Sequence, residues 1–114
     1  MTDLREYQEF TRTTDIHPEH MTKRNDPQLY LLMSYLVALQ AEVGEVSEYA
    51  QKAYRDNKPI DTKELSKELG DILWNLSRIA DTSGLNLVDI AAENVAKLKS
   101  RKERGVISGS GDNR

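Results

Sequence analysis

The sequence predicts an all-α protein of four helices, and three observations carry that reading. Apolar residues recur at alternating spacings of three and four in successive stretches, the period of a helix with one inner face. Capping residues open these stretches: Asp3, Asp26, Asp61 and Asn86. No segment shows the strict alternation of a half-buried strand.

The first helix runs from about Asp3 to Thr14. Asp3 and Glu6 have capping-box spacing, and Leu4, Tyr7 and Phe10–Thr11 share one side. His17, Pro18, Glu19, His20, Asn25 and Asp26 then make a polar loop, its histidines read as solvated. The second helix starts at Asp26 as N-cap with Pro27 at the first helical position. Its stripe is Leu29, Leu32, Leu36, Leu39, Val43, Val46, Ala50 and Ala53, a coiled-coil-like seam that ends near Asp56, Asn57, Lys58 and Pro59. The third helix starts at Asp61 or Thr62 and is expected to bury Leu65, Leu69, Ile72, Leu73, Leu76, Ile79 and Ala80, with Gly84 just past its end. Asn86 and Asp89 open a fourth helix, expected to bury Leu87, Ile90, Ala91, Val95 and Leu98. That helix turns basic at its end, as the helix dipole favours, and Gly105 stops it. Short connections between the last three helices favour antiparallel neighbours. The expected core is helices two to four, with the first packed across it.

These boundaries give one helical domain over residues 1–105 and a flexible C-terminal segment, 106–114, too rich in glycine and serine to hold a core. A chain of 114 residues has a small core and gains from association, so a homodimer or homotetramer is expected. Net charge is −3 with the acids concentrated mid-chain, which argues against a binder of nucleic-acid polymers. There is no cysteine, so disulfides, zinc–thiolate sites and iron–sulfur clusters are excluded. The N-terminus is too polar for a signal peptide, and no apolar run approaches the length of a membrane span. A cytoplasmic location with no membrane partner is the expectation.

Two short segments rhyme. Glu42, Val43, Gly44 and Glu45 stand in the second helix; Glu68, Leu69, Gly70 and Asp71 stand in the third. Positions i and i+3 are neighbours on a helix, so each segment presents a carboxylate pair. Each also accepts a mid-helix glycine, which costs roughly 1 kcal/mol relative to alanine. At about 100° per residue, Glu42 lies roughly 40–60° from the Leu39–Val46 line, with Glu45 further toward the polar side. Glu68 and Asp71 border the third helix's stripe in the same way. Antiparallel packing lines one groove with all four, with Glu48, Glu64 and Asn75 as neighbours. Flanking glutamates are ordinarily solvated surface; two such pairs at a core edge read instead as a site. Hard divalent cations take oxygen ligands, so Mg2+ and Mn2+ are the candidates. Di-iron bundles use Glu-x-x-His, and neither helix supplies a histidine.

These residues resemble the MazG-like all-α nucleoside triphosphate pyrophosphohydrolases, a group related to the dimeric dUTP pyrophosphatases and phosphoribosyl-ATP pyrophosphohydrolases. The likeness rests on an ExxE (Glu42, Glu45) followed by an ExxD (Glu68, Asp71). It extends from Tyr7 and Gln8 through Asn94, Lys97 and Arg101 to the glycine-containing end, Gly105 to Arg114. It implies a four-helix MazG-like bundle and Mg2+-dependent hydrolysis of a (d)NTP to (d)NMP and pyrophosphate. It also implies that Glu42, Glu45, Glu68 and Asp71 bind metal, that Asn94 and Lys97 contact the nucleotide, and that Arg101 reaches phosphate. Many relatives carry an aromatic residue four positions after the ExxD aspartate; this chain has Asn75 there, beside Trp74, so no relative's nucleotide preference carries over. Asn75 remains a candidate substrate contact. The alternatives are a non-catalytic helical module that binds nucleotide or protein, and a phosphoribosyl-ATP pyrophosphohydrolase.

Overall fold

The computed structural model describes residues 2–20 and 26–114, with only the backbone of Glu19 and His20. Asn25, read as part of the polar loop, lies outside the described residues. Among these residues the chain forms four α-helices and no strand: α1 (Leu4–Thr13), α2 (Pro27–Arg55), α3 (Thr62–Thr82) and α4 (Leu87–Glu103). One further 3₁₀ turn covers His17–His20.

The caps lie where the sequence places them. Asp3 accepts from the Glu6 amide, Asp26 from Leu29, Asp61 from Lys63 and Glu64, and Asn86 from Asp89. Each satisfies amides that the first helical turn leaves unpaired. Gly84 follows the α3 C-cap at φ 71°, a left-handed position that glycine adopts without strain.

Helices α2 and α3 pack extensively on one another. Their antiparallel register is pinned at both ends: Gln28 Nε2 donates to the Thr82 carbonyl at 3.1 Å, and the Asp61 amide donates to Tyr49 Oη at 2.7 Å. Helix α1 lies across α3. Helix α4, however, packs chiefly against α1, so the expected core of helices two to four is corrected to α1, the 3₁₀ turn, α2 and α3. Gln8 explains the departure. Its Nε2 donates to the Leu85 carbonyl at 3.0 Å and its Oε1 accepts from the Leu87 amide at 2.8 Å, so α1 holds the α3–α4 turn directly.

The buried sides also differ from the apolar stripes. On α1 the buried residues are Gln8 and Thr11, while Leu4 and Phe10 are exposed. On α3 they are Asn75, Ser77, Arg78 and Ala80, while Leu69 and Leu76 are exposed. On α4 only Leu87 and Arg101 are buried; Ile90, Val95 and Leu98 face outward. Helix α2 buries Leu31 and Tyr35, neither of them on the expected stripe, and exposes Leu29 and Val43. A second apolar face, with Met33 and with Val37 at 64% exposure, is left exposed. Because α2 is apolar on both sides, it corrects the reading that no run approaches a membrane span. An 18-residue window in this helix has a mean hydropathy of 1.3, long and apolar enough to cross a membrane by length and composition, with 11% of it buried.

A polar network ties these elements together. Arg78 pairs with Asp15 at 2.8 Å and with Asp81 at 3.0 Å, and Arg12 pairs with Asp81 at 2.6 Å. Tyr35 donates to Asp15 through a short hydrogen bond, and Thr11 and Ser77 hydroxyls meet at 3.1 Å. His17, read as solvated, instead contacts Asp15 through Nδ1 at 2.9 Å and meets the Tyr35 ring edge-on at 5.0 Å. Trp74, half-buried, donates to Thr14 Oγ1 at 2.8 Å and packs edge-on to Tyr35.

Candidate functional site

The antiparallel α2–α3 pair brings three of the four predicted carboxylates together. Oxygens of Glu42, Glu68 and Asp71 all lie within 4.8 Å of one another. Two like unit charges at that outer separation repel by about 3.5 kcal/mol at an effective dielectric constant of about 20. Among the described residues, no cation is paired with these three carboxylates. Glu42 Oε2 and Glu68 Oε2 are buried and without a hydrogen-bond partner. The Glu42 carboxyl is therefore pushed up to about 7. The causes are loss of solvent around it, a proton shared with Glu68, and the charges of Glu45, Asp71 and Glu68.

Glu45 lies outside this cluster of three, exposed one turn further along α2. Glu48 and Glu64, the suggested neighbours, are drawn off by lysines: Glu48 pairs with Lys52 at 2.9 Å and Glu64 with Lys67 at 3.1 Å. Asn75 is buried one turn after Asp71. Its Nδ2 donates to the Asp71 carbonyl at 3.1 Å, and its Oδ1 has no partner. Tyr7 reaches in from α1, its Oη 3.4 Å from the Gly70 carbonyl, and its hydroxyl is pushed above the ordinary range by burial and by the Asp71 charge.

A cation site needs oxygen donors, a charge deficit and vacant lone pairs. The three clustered carboxylates supply all of these, and the two orphaned buried oxygens are the sharpest sign of fit. Neither Gly44 nor Gly70 is demanded by the chain itself, since a Cβ at either would meet nothing within 4 Å. Both glycines face open space.

The basic candidates form a separate surface. Asn94 and Lys97 line a hollow of about 320 Å³ with Ile90, Glu93 and Asp112, and none of the carboxylates of the α2–α3 groove borders it. Arg101 is buried, its Nε unpartnered. The sequence reading missed Asp112, which meets both Lys97 and Arg101; a lone aspartate among glycines gives no periodic signal.

Residues 32–106 match the MazG nucleotide pyrophosphohydrolase domain. The chain is also similar to the Gene 37 protein of Mycobacterium phage L5, 40% identical over 87 residues, 72% of this chain and 76% of that relative. No solved structure matches significantly. The matched span holds both carboxylate segments, the three-carboxylate cluster and the basic face of α4, so this chain belongs to the MazG nucleotide pyrophosphohydrolase family.

Proposed function

We propose that the protein is a Mg2+-dependent nucleoside triphosphate pyrophosphohydrolase, converting a (d)NTP and water to a (d)NMP and pyrophosphate. The observation that carries this reading is the pair of orphaned buried oxygens, Glu42 Oε2 and Glu68 Oε2, clustered with Asp71. These three residues would hold the cation, with Glu45 on the exposed rim. Mg2+, or Mn2+ in its place, supplies positive charge to phosphate oxygens and lowers the pKa of a bound water. In this reading Glu45 or Asp71, both exposed, accepts a proton from the water that attacks the α-phosphorus. The bond to the bridging oxygen breaks, and pyrophosphate leaves with that electron pair. Lys97 and Arg101 steady its oxygens, Asn94 reads a sugar or base edge, and Asn75 offers its unpartnered Oδ1 beside Asp71.

The groove and the basic face are separate in one chain, and the outward residues Leu29, Met33 and Val37 on α2 and Ile90, Val95 and Leu98 on α4 are apolar. In this reading a homodimer or homotetramer covers those faces and completes the site. The reaction belongs in the cytoplasm, with nucleotide-pool cleaning or control as its purpose. A panel of standard and damaged (d)NTPs with Mg2+ tests it. Pyrophosphate and monophosphate are the expected products; orthophosphate with a diphosphate product would move the attack to the γ-phosphorus and end this reading.

A further inference from the structure

The segment after α4 is folded back on itself by an arginine. Arg114 donates from Nε to the Val106 carbonyl at 3.0 Å, from Nη1 to Gly111 at 2.6 Å and from Nη2 to Ile107 at 2.9 Å. Gly109, at φ 150°, leaves room for this: a Cβ there would come within 3.0 Å of Arg114 Cδ. Arg104 then clamps the loop to the end of α4 by donating to the Arg114 carbonyl at 2.9 Å.

This closure aims one carboxylate at the basic face. Asp112 Oδ1 accepts from Lys97 Nζ at 3.0 Å and from Arg101 Nη2 at 3.3 Å, and the Asp112 carbonyl accepts from the same Arg101 nitrogen. Arg101 is 7% exposed, whereas Asp112 is 79% exposed. A buried guanidinium with an unpartnered Nε is thus met by an exposed, easily removed anion.

We propose that residues 105–114 form a strap whose Asp112 carboxylate occupies the phosphate seat on Lys97 and Arg101 and competes with the substrate's phosphate groups for it. The proposal rests on the reading of Lys97 and Arg101 as phosphate-binding residues. The chemistry favours exchange. An exposed carboxylate–lysine pair is weak because solvent screens it. A pyrophosphate group brings more charge and more acceptor oxygens, enough to serve Lys97 and the planar Arg101 fork together. Asp112 keeps the seat filled when no phosphate is present and yields it when one arrives.

Calorimetric titration of inorganic pyrophosphate into the full chain, in metal-free buffer, tests this through binding alone. Asp112→Asn should bind about threefold more tightly than the parent, the order expected for loss of one exposed ion pair. Lys97→Ala should bind more weakly. Both substitutions are at solvent-accessible side chains, and circular dichroism checks that the helices persist. If Lys97→Ala weakens binding but Asp112→Asn binds no tighter than the parent, the strap is overturned and the phosphate reading stands. Parent-like binding by Lys97→Ala overturns the phosphate reading itself, and failure of Asp112→Asn to bind pyrophosphate at all overturns both.

Discussion

Helix α3 carries two carboxylate clusters about 15 Å apart along its axis, and they are opposites. At Asp81 the acids are matched: Asp15 and Asp81 face Arg78 and Arg12, with Tyr35 and His17 adding hydrogen bonds. Burial raises Asp15, but Tyr35, His17 and Arg78 outweigh it and hold its carboxyl below the usual range. Asp81 is held down to about 2, mainly by the Arg12 hydrogen bond. At Asp71 the acids are unmatched: Glu42 and Glu68 keep buried, unpartnered oxygens, and Glu42 is pushed up to about 7. The first cluster is complete as folded and joins α1, the 3₁₀ turn, α2 and α3. The second is balanced only by a cation or a proton. Charge balance, not carboxylate count, separates a structural network from a site.

The largest effect expected from this contrast is on turnover. Asp71→Asn or Glu68→Gln should lower kcat/KM by about a thousandfold or more, roughly 4 kcal/mol, while the metal-free protein stays helical. Glu45→Gln, outside the cluster of three, should cost less. Pyrophosphate release measures both, and full activity in a variant removes that residue from the site.

Stability should respond in the opposite sense. Arg78→Met leaves Asp15, 1% exposed, without its guanidinium and should cost about 3–5 kcal/mol. Glu42→Gln removes a repelled charge and should be neutral or stabilising without metal. Urea denaturation compares them; equal losses would erase the distinction between the clusters.

Titration gives a third contrast. Asp15 and Asp81 have lowered folded values, so their contribution is present above the usual carboxylate value of about 4 and is lost as pH falls through the folded values, about 2 for Asp81. Glu42 has a raised folded value, so its contribution is full below about 4.5 and is lost as pH rises through about 7. Metal-free protein should therefore lose Tm from pH 5 to pH 8. Glu42→Gln should flatten that slope, and Mg2+ should restore more Tm at pH 8 than at pH 5. A parent slope unchanged by Glu42→Gln would assign it elsewhere.

The smallest effect concerns the glycines. Gly70→Ala should stabilise the chain by about 0.5–1 kcal/mol, because the new methyl meets open space and alanine is the better helix former. Gly44 shares the outward α2 face with Val37, seven residues earlier, so in the proposed dimer or tetramer Gly44→Ala should instead weaken association. Light scattering at micromolar concentration checks this, and an undisturbed oligomer would place Gly44 in solvent.

The sequence by itself determined what local chemistry determines. Caps at Asp3, Asp26, Asp61 and Asn86 fixed the helix starts, since each side chain satisfies amides within its own first turn. Helical spacing placed Glu42, Glu68 and Asp71 at the edges of two faces that antiparallel packing then joined. Tertiary structure alone decided which faces were buried. Thr11, Ser77 and Arg78 lie inside while Leu69, Leu76, Val95 and Leu98 stay about half exposed, because hydrogen bonds from distant elements satisfy the polar groups and the apolar ones are only partly covered in a single chain. Only the fold could give Arg78 two acids, Glu42 and Glu68 no paired cation among the described residues, and Lys97 the carboxylate of Asp112: charge balance depends on which distant residues meet, and no local pattern records that.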